Sequence, residues 1–207
     1  MRSKIIEQHK KKLKLNQKQR SIIIGMLLGD GHLETLNNGR TYRLKVEHSI
    51  KQKEYVKWLY EQFKDFTHQE PQARIKNLKG KEFLSYGFTT YSIGLFRFYA
   101  QQFYVDKKKI MPKIIKKLLD PLSLAIWFMD DGSWKSNKHR TYIIHTLGYT
   151  KKELVLVKEV IEQKFGIIVG IHKQYNKWRL YVYSDSAKQF KNLIESYVIP
   201  SMKYKLG

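Results

Sequence analysis

The sequence of 207 residues contains no cysteine, which excludes disulfide bridges and metal sites built from thiolates. Acidic residues are scarce as well: 18 Asp and Glu stand against 40 Lys and Arg, giving a formal net charge of +22. No apolar run reaches the roughly 20 residues that a membrane-spanning helix needs. The basic surplus, together with 14% aromatic residues, therefore favours a nucleic-acid partner over a membrane.

Signatures of several enzyme classes are also missing. The sequence has no GxxxxGK[ST] phosphate loop and no close helical pair among its seven histidines, so it does not indicate ATP use or a zinc protease. The G-x-S-x-G elbow of serine hydrolases is absent too. These absences argue against those enzyme classes.

Two apolar segments dominate the sequence: SIIIGMLLGDGH at Ser21–His32 and SLAIWFMDDGSW at Ser123–Trp134. Each is long enough for a helix of two to three turns, and its closing glycine stands at a C-cap position. The acidic residue before that glycine would lie at the negative end of the helix dipole, which is unfavourable unless a cation binds there. Two buried helices with incidental acidic ends are the alternative, but a matched pair favours an oxygen-rich Mg²⁺ site.

The segments IIGMLLGDG at Ile23–Gly31 and LAIWFMDDG at Leu124–Gly132 resemble the motifs of the LAGLIDADG homing endonuclease family. The resemblance implies two motif helices packed side by side, each bringing the aspartate before its closing glycine into the catalytic centre. That register selects Asp30 and Asp131. Asp130 competes in the second motif, but adjacent helical residues point about 100° apart, so one side chain of the two faces the metal.

The resemblance also implies the ligands and the cofactor. Asp30 and Asp131 would share the metal ions, and the main-chain carbonyls of Gly29 and Asp130 would contribute. We expect Mg²⁺ as the cofactor, with Mn²⁺ as a substitute and Ca²⁺ supporting binding without efficient cleavage.

A basic residue in each half is expected to support the reaction. The candidates are Lys109, in KKKIMP, and Lys205, in MKYKL, which occupy similar places late in each half. Their neighbours Lys107, Lys108 and Lys203 remain alternatives.

The sequence outside the motifs repeats itself. YRLKVEHSIKQKEYVKWLYEQF at Tyr42–Phe63 parallels YIIHTLGYTKKELVLVKEVIEQKF at Tyr142–Phe165. We predict an α+β fold with two pseudo-symmetric αββαββα halves, which form a DNA-binding saddle of antiparallel sheets around two packed motif helices. The predicted division is a basic N-terminal extension at 1–16, a first half at 17–110, a connector at 111–120 and a second half at 121–207. Because both motifs lie in one chain, we expect a monomer.

Apolar periodicity and turn residues predict the local elements. Helices are expected at 51–66, 92–103, 151–165 and 187–197. Hairpins are expected at 72–77 with 81–90, 134–140 with 141–149, and 167–175 with 177–184. The segment 1–20 is either a helix or a mobile arm, and His48 is interpreted as structural.

Alternation along the predicted strands places charged and polar side chains on one face of each sheet. A two-stranded ribbon fits the major groove of DNA, so these side chains are predicted to contact it. The predicted DNA-contacting residues are Glu34, Asn38, Arg40, Arg43, Lys45, Arg74, Lys76, Lys135, Lys138, Arg140, His145, His172, Gln174, Lys177, Arg179 and Tyr181.

The sequence thus predicts a site-specific double-strand DNA endonuclease of the homing type, encoded in an intron. It would use a divalent metal to hydrolyse phosphodiesters in a long asymmetric site. The alternatives are an RNA-splicing maturase, with RNA as its partner, and a non-cleaving DNA-binding protein of the same fold. The presence of both Asp30 and Asp131 argues against the non-cleaving alternative. We expect an intracellular location, in a mitochondrion, a chloroplast or a bacterial or archaeal cytoplasm, and no membrane partner.

Overall fold

The computed structural model describes residues 2–78 and 80–207. Met1, at the start of the predicted basic extension, and Lys79, in the turn predicted at 77–80, lie outside the described residues. Among the residues described, no helix is long and apolar enough to cross a membrane.

The chain forms two compact units. Unit 1 comprises Met1–Arg20 and Asp30–Ala100, and unit 2 comprises Ser21–Gly29 and Gln101–Gly207. Residues 21–29 of the first motif segment therefore belong, by their contacts, to the unit that contains the second motif segment. The halves at 17–110 and 121–207 remain a prediction about the repeat in the sequence.

Unit 1 is built on a four-stranded antiparallel sheet with the strand order β1-β2-β4-β3. Its elements are helix α1 (Arg2–Lys12), the start of helix α2 (Gln17–Leu28), strands β1 (His32–Glu34) and β2 (Arg43–Ser49), helix α3 (Lys53–Phe63), strands β3 (Gln72–Leu78) and β4 (Lys81–Thr89), and the start of helix α4 (Arg97–Phe103). Short 3₁₀ turns flank α3 at Ile50–Gln52 and Lys64–Phe66, so the helix predicted at 51–66 is confirmed with 3₁₀ ends.

The two faces of this sheet differ in chemistry because side chains alternate along a strand. On β2, Leu44 and Val46 are buried at 0% and 1% exposure, whereas Arg43, Lys45 and Glu47 lie on the outer face. Helix α3 covers the apolar face, and its apolar residues include several that are fully buried. These are Tyr55, Val56, Leu59 and Phe63. The outer face is thus the charged one.

Unit 2 repeats this plan with the strand order β7-β8-β10-β9. Its elements are the rest of α2 and of α4, the short pair β5 (Tyr104–Val105) and β6 (Lys108–Lys109), helices α5 (Ile115–Leu118) and α6 (Pro121–Asp131), strands β7 (Gly132–Trp134) and β8 (Tyr142–Ile144), helix α7 (Lys151–Phe165), strands β9 (Val169–Gln174) and β10 (Lys177–Val182), helix α8 (Ser184–Ile194), and a 3₁₀ segment at Pro200–Leu206. The matching order in both sheets confirms the predicted α+β class and internal repeat.

The hairpin predicted at 134–140 with 141–149 is much shorter than its sequence suggests. Only three residues of each strand pair, from Gly132↔Ile144 to Trp134↔Tyr142. Between them, the Arg140 N–H donates to the Ser136 carbonyl, and Arg140 adopts a φ of 34°. These residues therefore form a loop, and the prediction of long strands is wrong.

Candidate active site at the ends of two helices

The buried part of α2 and helix α6 pack directly against each other in unit 2. A Cβ added to Gly25 would lie 2.5 Å from both the Cβ of Ile126 and the Ser123 carbonyl oxygen, and one added to Gly29 would lie 2.5 Å from Asp130 Oδ2. The two helices run in matched register because Gly25 faces Ile126 and Gly29 faces Asp130. The bulky Ile126 is accommodated because the facing residue has no side chain.

Asp120 joins the N-terminal ends of this helix pair. Its Oδ1 accepts a hydrogen bond of 2.7 Å from the Ser123 N–H, which completes a capping box at the start of α6. Its Oδ2 accepts a short hydrogen bond from the Ser21 hydroxyl of α2. One carboxylate thus caps one helix and binds the other, which is a structural role.

The carbonyls at the opposite ends of the helices are bound by three later side chains. The Tyr149 hydroxyl donates to the Leu28 carbonyl at 2.9 Å, and Lys109 Nζ donates to the Gly29 carbonyl at 2.6 Å. Lys205 Nζ donates to the carbonyls of Met129 and Asp130, the latter at 2.9 Å. Cations are stabilised at the negative end of a helix dipole. These contacts therefore hold one lysine ammonium at the end of each motif helix.

Tyr149 is held in its neutral form in this environment. Burial raises the pKa of its phenol, and the carboxylates of Asp131 and Glu153 act in the same direction. Its proton therefore remains available for the Leu28 carbonyl.

Asp131 is the last residue of α6 and carries its own fixed contacts. Trp127 Nε1 donates to its Oδ2 at 3.2 Å, and the His145 N–H donates to its carbonyl at 2.9 Å. Burial first, and then the charges of Arg179 and Lys205, lower the pKa of His145. A neutral imidazole therefore lies close to this helix end, within 3.1 Å of the Ser133 hydroxyl.

Asp130 differs from its neighbour in burial. It is 8% exposed, and its side chain fills the space beside Gly29. This packing is in line with the register that selects Asp131, while the catalytic role of Asp131 remains a prediction.

Asp30 is the next residue in the chain after Gly29 and belongs to unit 1. Its side chain is 52% exposed, and its Oδ2 lies 3.5 Å from Nδ1 of His48, which is 3% exposed. The imidazole packs against Tyr55, with ring centroids 5.2 Å apart. His48 is thus buried, as the structural interpretation expects, and also adjacent to the predicted catalytic carboxylate.

The donor set near these helix ends fits a hard cation. Among the described residues, no group of three or more His, Asp or Glu could hold a metal ion, so a site here requires main-chain oxygens beside single carboxylates. Carboxylate and carbonyl oxygens are the ligands that Mg²⁺ and Ca²⁺ prefer. The carbonyls of Gly29 and Asp130 already accept from ammonium groups, and a carbonyl oxygen has a second lone pair.

The residues predicted to contact DNA lie on the outer faces of the sheets or in adjoining loops. In unit 1, Glu34, Arg43, Lys45, Arg74 and Lys76 share the outer face of the sheet by strand register. Asn38 and Arg40 lie in the β1–β2 loop, where the Arg40 carbonyl accepts from Arg97.

In unit 2, the corresponding face carries polar and aromatic groups from β9 and β10. The rings of His172 and Tyr181 stack with centroids 4.6 Å apart, and Arg179 Nη1 donates to Gln174 Oε1 at 3.1 Å. Lys135 Nζ donates to the Tyr181 hydroxyl at 3.0 Å. The remaining predicted residues are Lys177 on β10, Lys138 and Arg140 in the β7–β8 loop, and His145 just after β8.

Sequence reasoning did not assign several residues that the structure brings to these sites. Trp127 stands four positions before Asp131, one helical turn away, which is a signal in the sequence. Tyr149 and His48 offer no such signal because their contacts come from distant segments. Glu47 was recognised only as part of a charged strand face.

Comparison with known proteins identifies the family of this chain. The profile of the LAGLIDADG DNA endonuclease family matches residues 20–190. The probable intron-encoded endonuclease 1 of Wickerhamomyces canadensis is 30% identical over 211 residues, covering 99% of this chain and 90% of that protein. The cytochrome b mRNA maturase bI2 of Debaryomyces hansenii is 30% identical over 200 residues, covering 93% of this chain and 75% of that protein.

A solved structure, the homing endonuclease I-WcaI bound to its DNA recognition sequence, has a similar fold. It matches with a TM-score of 0.92 and 28% identity, covering 99% of this chain and 92% of that one. The family profile spans most of the sequence, including both motif helices. The chain belongs to the LAGLIDADG DNA endonuclease family.

Proposed function

We propose that this protein is an intron-encoded homing endonuclease that cuts both strands of a long, asymmetric DNA site with a divalent metal. Asp30 and Asp131 are its metal-binding carboxylates. Lys109 and Lys205 are its catalytic cations, and the outer sheet faces bind the DNA. The endonuclease relatives at 28–30% identity support the activity.

One observation carries the assignment of residues. Each motif helix ends in a carbonyl that accepts from a lysine Nζ, Lys109 at Gly29 and Lys205 at Asp130. Each of these carbonyls directly precedes the aspartate that the family resemblance selects. The same combination of carbonyl, carboxylate and ammonium therefore occurs twice in one chain, which suits an enzyme that cuts two strands.

The roles follow from the chemistry of these groups. A bound divalent cation supplies Lewis acidity, which activates water as the nucleophile and stabilises the departing oxygen. Asp30 and Asp131, with the carbonyls of Gly29 and Asp130, would hold it. The ammonium groups of Lys109 and Lys205 offset the charge that develops on the scissile phosphate.

The net charge of +22 suits a polyanionic partner. Neutralised phosphates release counterions, so binding should weaken steeply with salt, with log K falling by about 0.9 per phosphate contact. The two sheets differ in sequence on their outer faces, and the preferred DNA site is accordingly asymmetric.

The direct test is cleavage of a randomised duplex library by the purified protein. Mg²⁺ or Mn²⁺ should yield a defined set of cut sequences, Ca²⁺ should support binding with little cutting, and EDTA should abolish cleavage. Cleavage that is unchanged in EDTA, or binding without any cleavage in Mg²⁺ and Mn²⁺, would overturn the proposal.

A second function is suggested by one relative, the mRNA maturase of Debaryomyces hansenii. Under this alternative the same basic faces would bind an intron RNA. Splicing of the host intron in vitro with and without the protein distinguishes the two, because an endonuclease without maturase activity leaves the splicing rate unchanged.

A further inference from the structure

The outer face of the unit 1 sheet carries a continuous chain of ion pairs. Arg43 lies 2.8 Å from Glu34, and Lys45 lies between the two carboxylates, 3.5 Å from Glu34 and 3.7 Å from Glu47. Lys76 closes the chain at 2.8 Å from Glu47. Three of the basic residues predicted to contact DNA are therefore already paired with acids.

Glu47 is the less exposed of the two carboxylates in this chain of ion pairs. Its side chain is 12% exposed, and the Ser85 hydroxyl donates to its Oε1 at 2.6 Å. Burial alone would raise the pKa of Glu47, but the hydrogen bonds from Lys76 and Ser85 and the charges of Lys76 and Lys45 outweigh it and lower the pKa. The carboxylate is therefore ionised and fixed in one orientation.

The cross-strand partner of Glu47 on β4 is Gly87. A Cβ there would lie 2.3 Å from the Val46 carbonyl oxygen and 3.1 Å from the Glu47 Cβ. The sheet therefore has no side chain opposite Glu47. A surface pocket of about 560 Å³ opens beside it, lined among others by Asp30, Lys76 and Ser85.

The outer face of the unit 2 sheet has a different chemistry. Strands β7 to β10 contain no Asp or Glu. Two basic groups on that face pair with neutral ones: Lys135 with the Tyr181 hydroxyl, and Arg179 with the Gln174 amide. A phosphate can recruit such cations without breaking an ion pair, whereas in unit 1 it must compete with Glu34 and Glu47.

A carboxylate on a DNA-binding face is unfavourable beside phosphates unless the DNA also offers it a hydrogen-bond donor. The edge of a base pair in the major groove offers such a donor in the cytosine N4 amino group, to which Glu and Asp are complementary. A phosphate oxygen offers none and is repelled.

We infer that Glu47 is a specificity-determining residue, whose carboxylate accepts a hydrogen bond from a cytosine amino group and restrains Lys45 and Lys76 from binding phosphates indiscriminately. This inference rests on the proposed function, because it requires that the unit 1 sheet binds DNA. On this inference, the outer face of the unit 1 sheet discriminates between DNA sequences. The outer face of the unit 2 sheet contributes more of the affinity that does not depend on sequence.

The test compares the Glu47→Gln variant with the wild-type protein on the cut sequence found in the library and on a duplex of unrelated sequence. Affinities are measured by fluorescence anisotropy over a range of salt concentrations in Ca²⁺. Affinity for the unrelated duplex should rise, and its dependence of log K on log salt should steepen by about 1 to 2 units, because two lysines become available. A cytosine preference at one position should fall by roughly fivefold to 150-fold, as expected for one base contact of about 1–3 kcal/mol.

Glu61→Gln is the matched control. It changes the net charge equally but removes an exposed pair between Glu61 on α3 and Lys64 in the following 3₁₀ turn, at 3.3 Å, on the opposite side of the sheet from Glu47. It should alter neither the salt dependence nor the base preference. If the dependence of log K on log salt steepened equally in both variants, the change in net charge alone would explain it, and the inference would be overturned.

Lys76→Gln provides a second variant should Glu47→Gln fold poorly by circular dichroism. It leaves the carboxylate in place and removes its nearest cation, so binding should weaken because the charge of Glu47 is less compensated, the salt dependence should change little and the cytosine preference should persist. Loss of that preference would overturn the inference.

A wild-type protein that neither binds nor cuts DNA refutes the proposed function itself, whereas a specific nuclease whose preference survives Glu47→Gln refutes only this inference.

Discussion

The side chain of Asp130 occupies the space that Gly29 leaves open, and a Cβ on that glycine would lie 2.5 Å from Asp130 Oδ2. The glycine thus allows the two motif helices to approach at the ends that carry the candidate catalytic groups. Any side chain at this position has to move either the helix or the carboxylate.

Gly25→Ala and Gly29→Ala should each destabilise the protein by about 1–3 kcal/mol through overpacking. At Gly25, helix propensity alone would favour alanine by about 1 kcal/mol, so a net loss isolates the packing effect. Denaturant unfolding measures it. Gly148→Ala is the control, because a Cβ there meets nothing within 4 Å; stability lost equally at all three positions would contradict the packing argument.

Asp30→Asn and Asp131→Asn should each abolish or nearly abolish strand cleavage while DNA affinity stays the same or rises slightly. The amide keeps the shape of the side chain but removes the charge that holds a hard cation, and binding depends on basic groups elsewhere. Plasmid nicking and linearisation beside a gel-shift titration measure both properties.

Asp130→Asn is the internal control for these variants, since this side chain is packed at the helix interface. Its cleavage rate should fall far less than that of Asp131→Asn. If only Asp130→Asn lost activity, the register of the second motif would be wrong.

Lys109→Met and Lys205→Met should lower the single-turnover cleavage rate by roughly 100-fold or more, as loss of one preorganised charge stabiliser does. DNA affinity should change no more than for any other surface lysine. Lys108→Met and Lys203→Met, the neighbouring alternatives, lose the same charge without touching the helix-end carbonyls that Lys109 and Lys205 bind. A larger loss in either neighbour would transfer the catalytic assignment to it.

The contribution of Glu153 to stability should depend on pH. Burial would raise its pKa, but hydrogen bonds from Thr150 and from the Met111 N–H lower it below its ordinary value of 4.5. A lowered pKa means stability that is present above about pH 4.5 and lost as the pH falls through the folded-state pKa. Glu153→Gln should therefore cost about 1–2 kcal/mol at pH 7 through weaker hydrogen bonds to a neutral group and progressively less as the pH falls below about 4.5.

Urea unfolding of the wild type and of Glu153→Gln at several pH values measures this difference. A difference that stays constant across the acid range would show that the charge of Glu153 contributes nothing. The outcome is independent of DNA and of metal.

Helix α7 illustrates what the sequence could predict. Its bounds, Lys151–Phe165, were predicted to the residue because local chemistry sets both ends. Thr150 and Glu153 form a capping box, and Gly166 ends the helix at a φ of 67°. Both signals lie within a few residues of the helix and depend on no distant contact.

Strands β7 and β8 show the limit of the same reasoning. Alternation across 134–149 predicted long strands, but pairing stops after Trp134↔Tyr142. Hydrogen bonds within the loop to Ser136 and the positive φ of Arg140 prevent the two strands from continuing. The alternation of apolar and polar residues does not reveal that loop hydrogen bonds compete with strand pairing. Strand length is decided by tertiary pairing.

In the candidate site too, some features could be predicted from the sequence and others could not. The family resemblance selected Asp30, Asp131, Lys109 and Lys205, and the two lysines do lie at helix-end carbonyls. The contacts of Glu47 could not be predicted, because Lys76 and Ser85 reach it only through the pairing of β2, β4 and β3. Register between strands distant in sequence is absent from local patterns.

The pairing of Ser21 with Asp120, and of Lys205 with the end of α6, bears on when the enzyme becomes competent during synthesis. A ribosome produces the first motif helix long before the second, and Lys205 after both. Contacts so far apart in sequence form late and slowly. The nascent chain therefore lacks one of its two proposed catalytic cations until Lys205 has been synthesised, and so does any product that terminates before that residue.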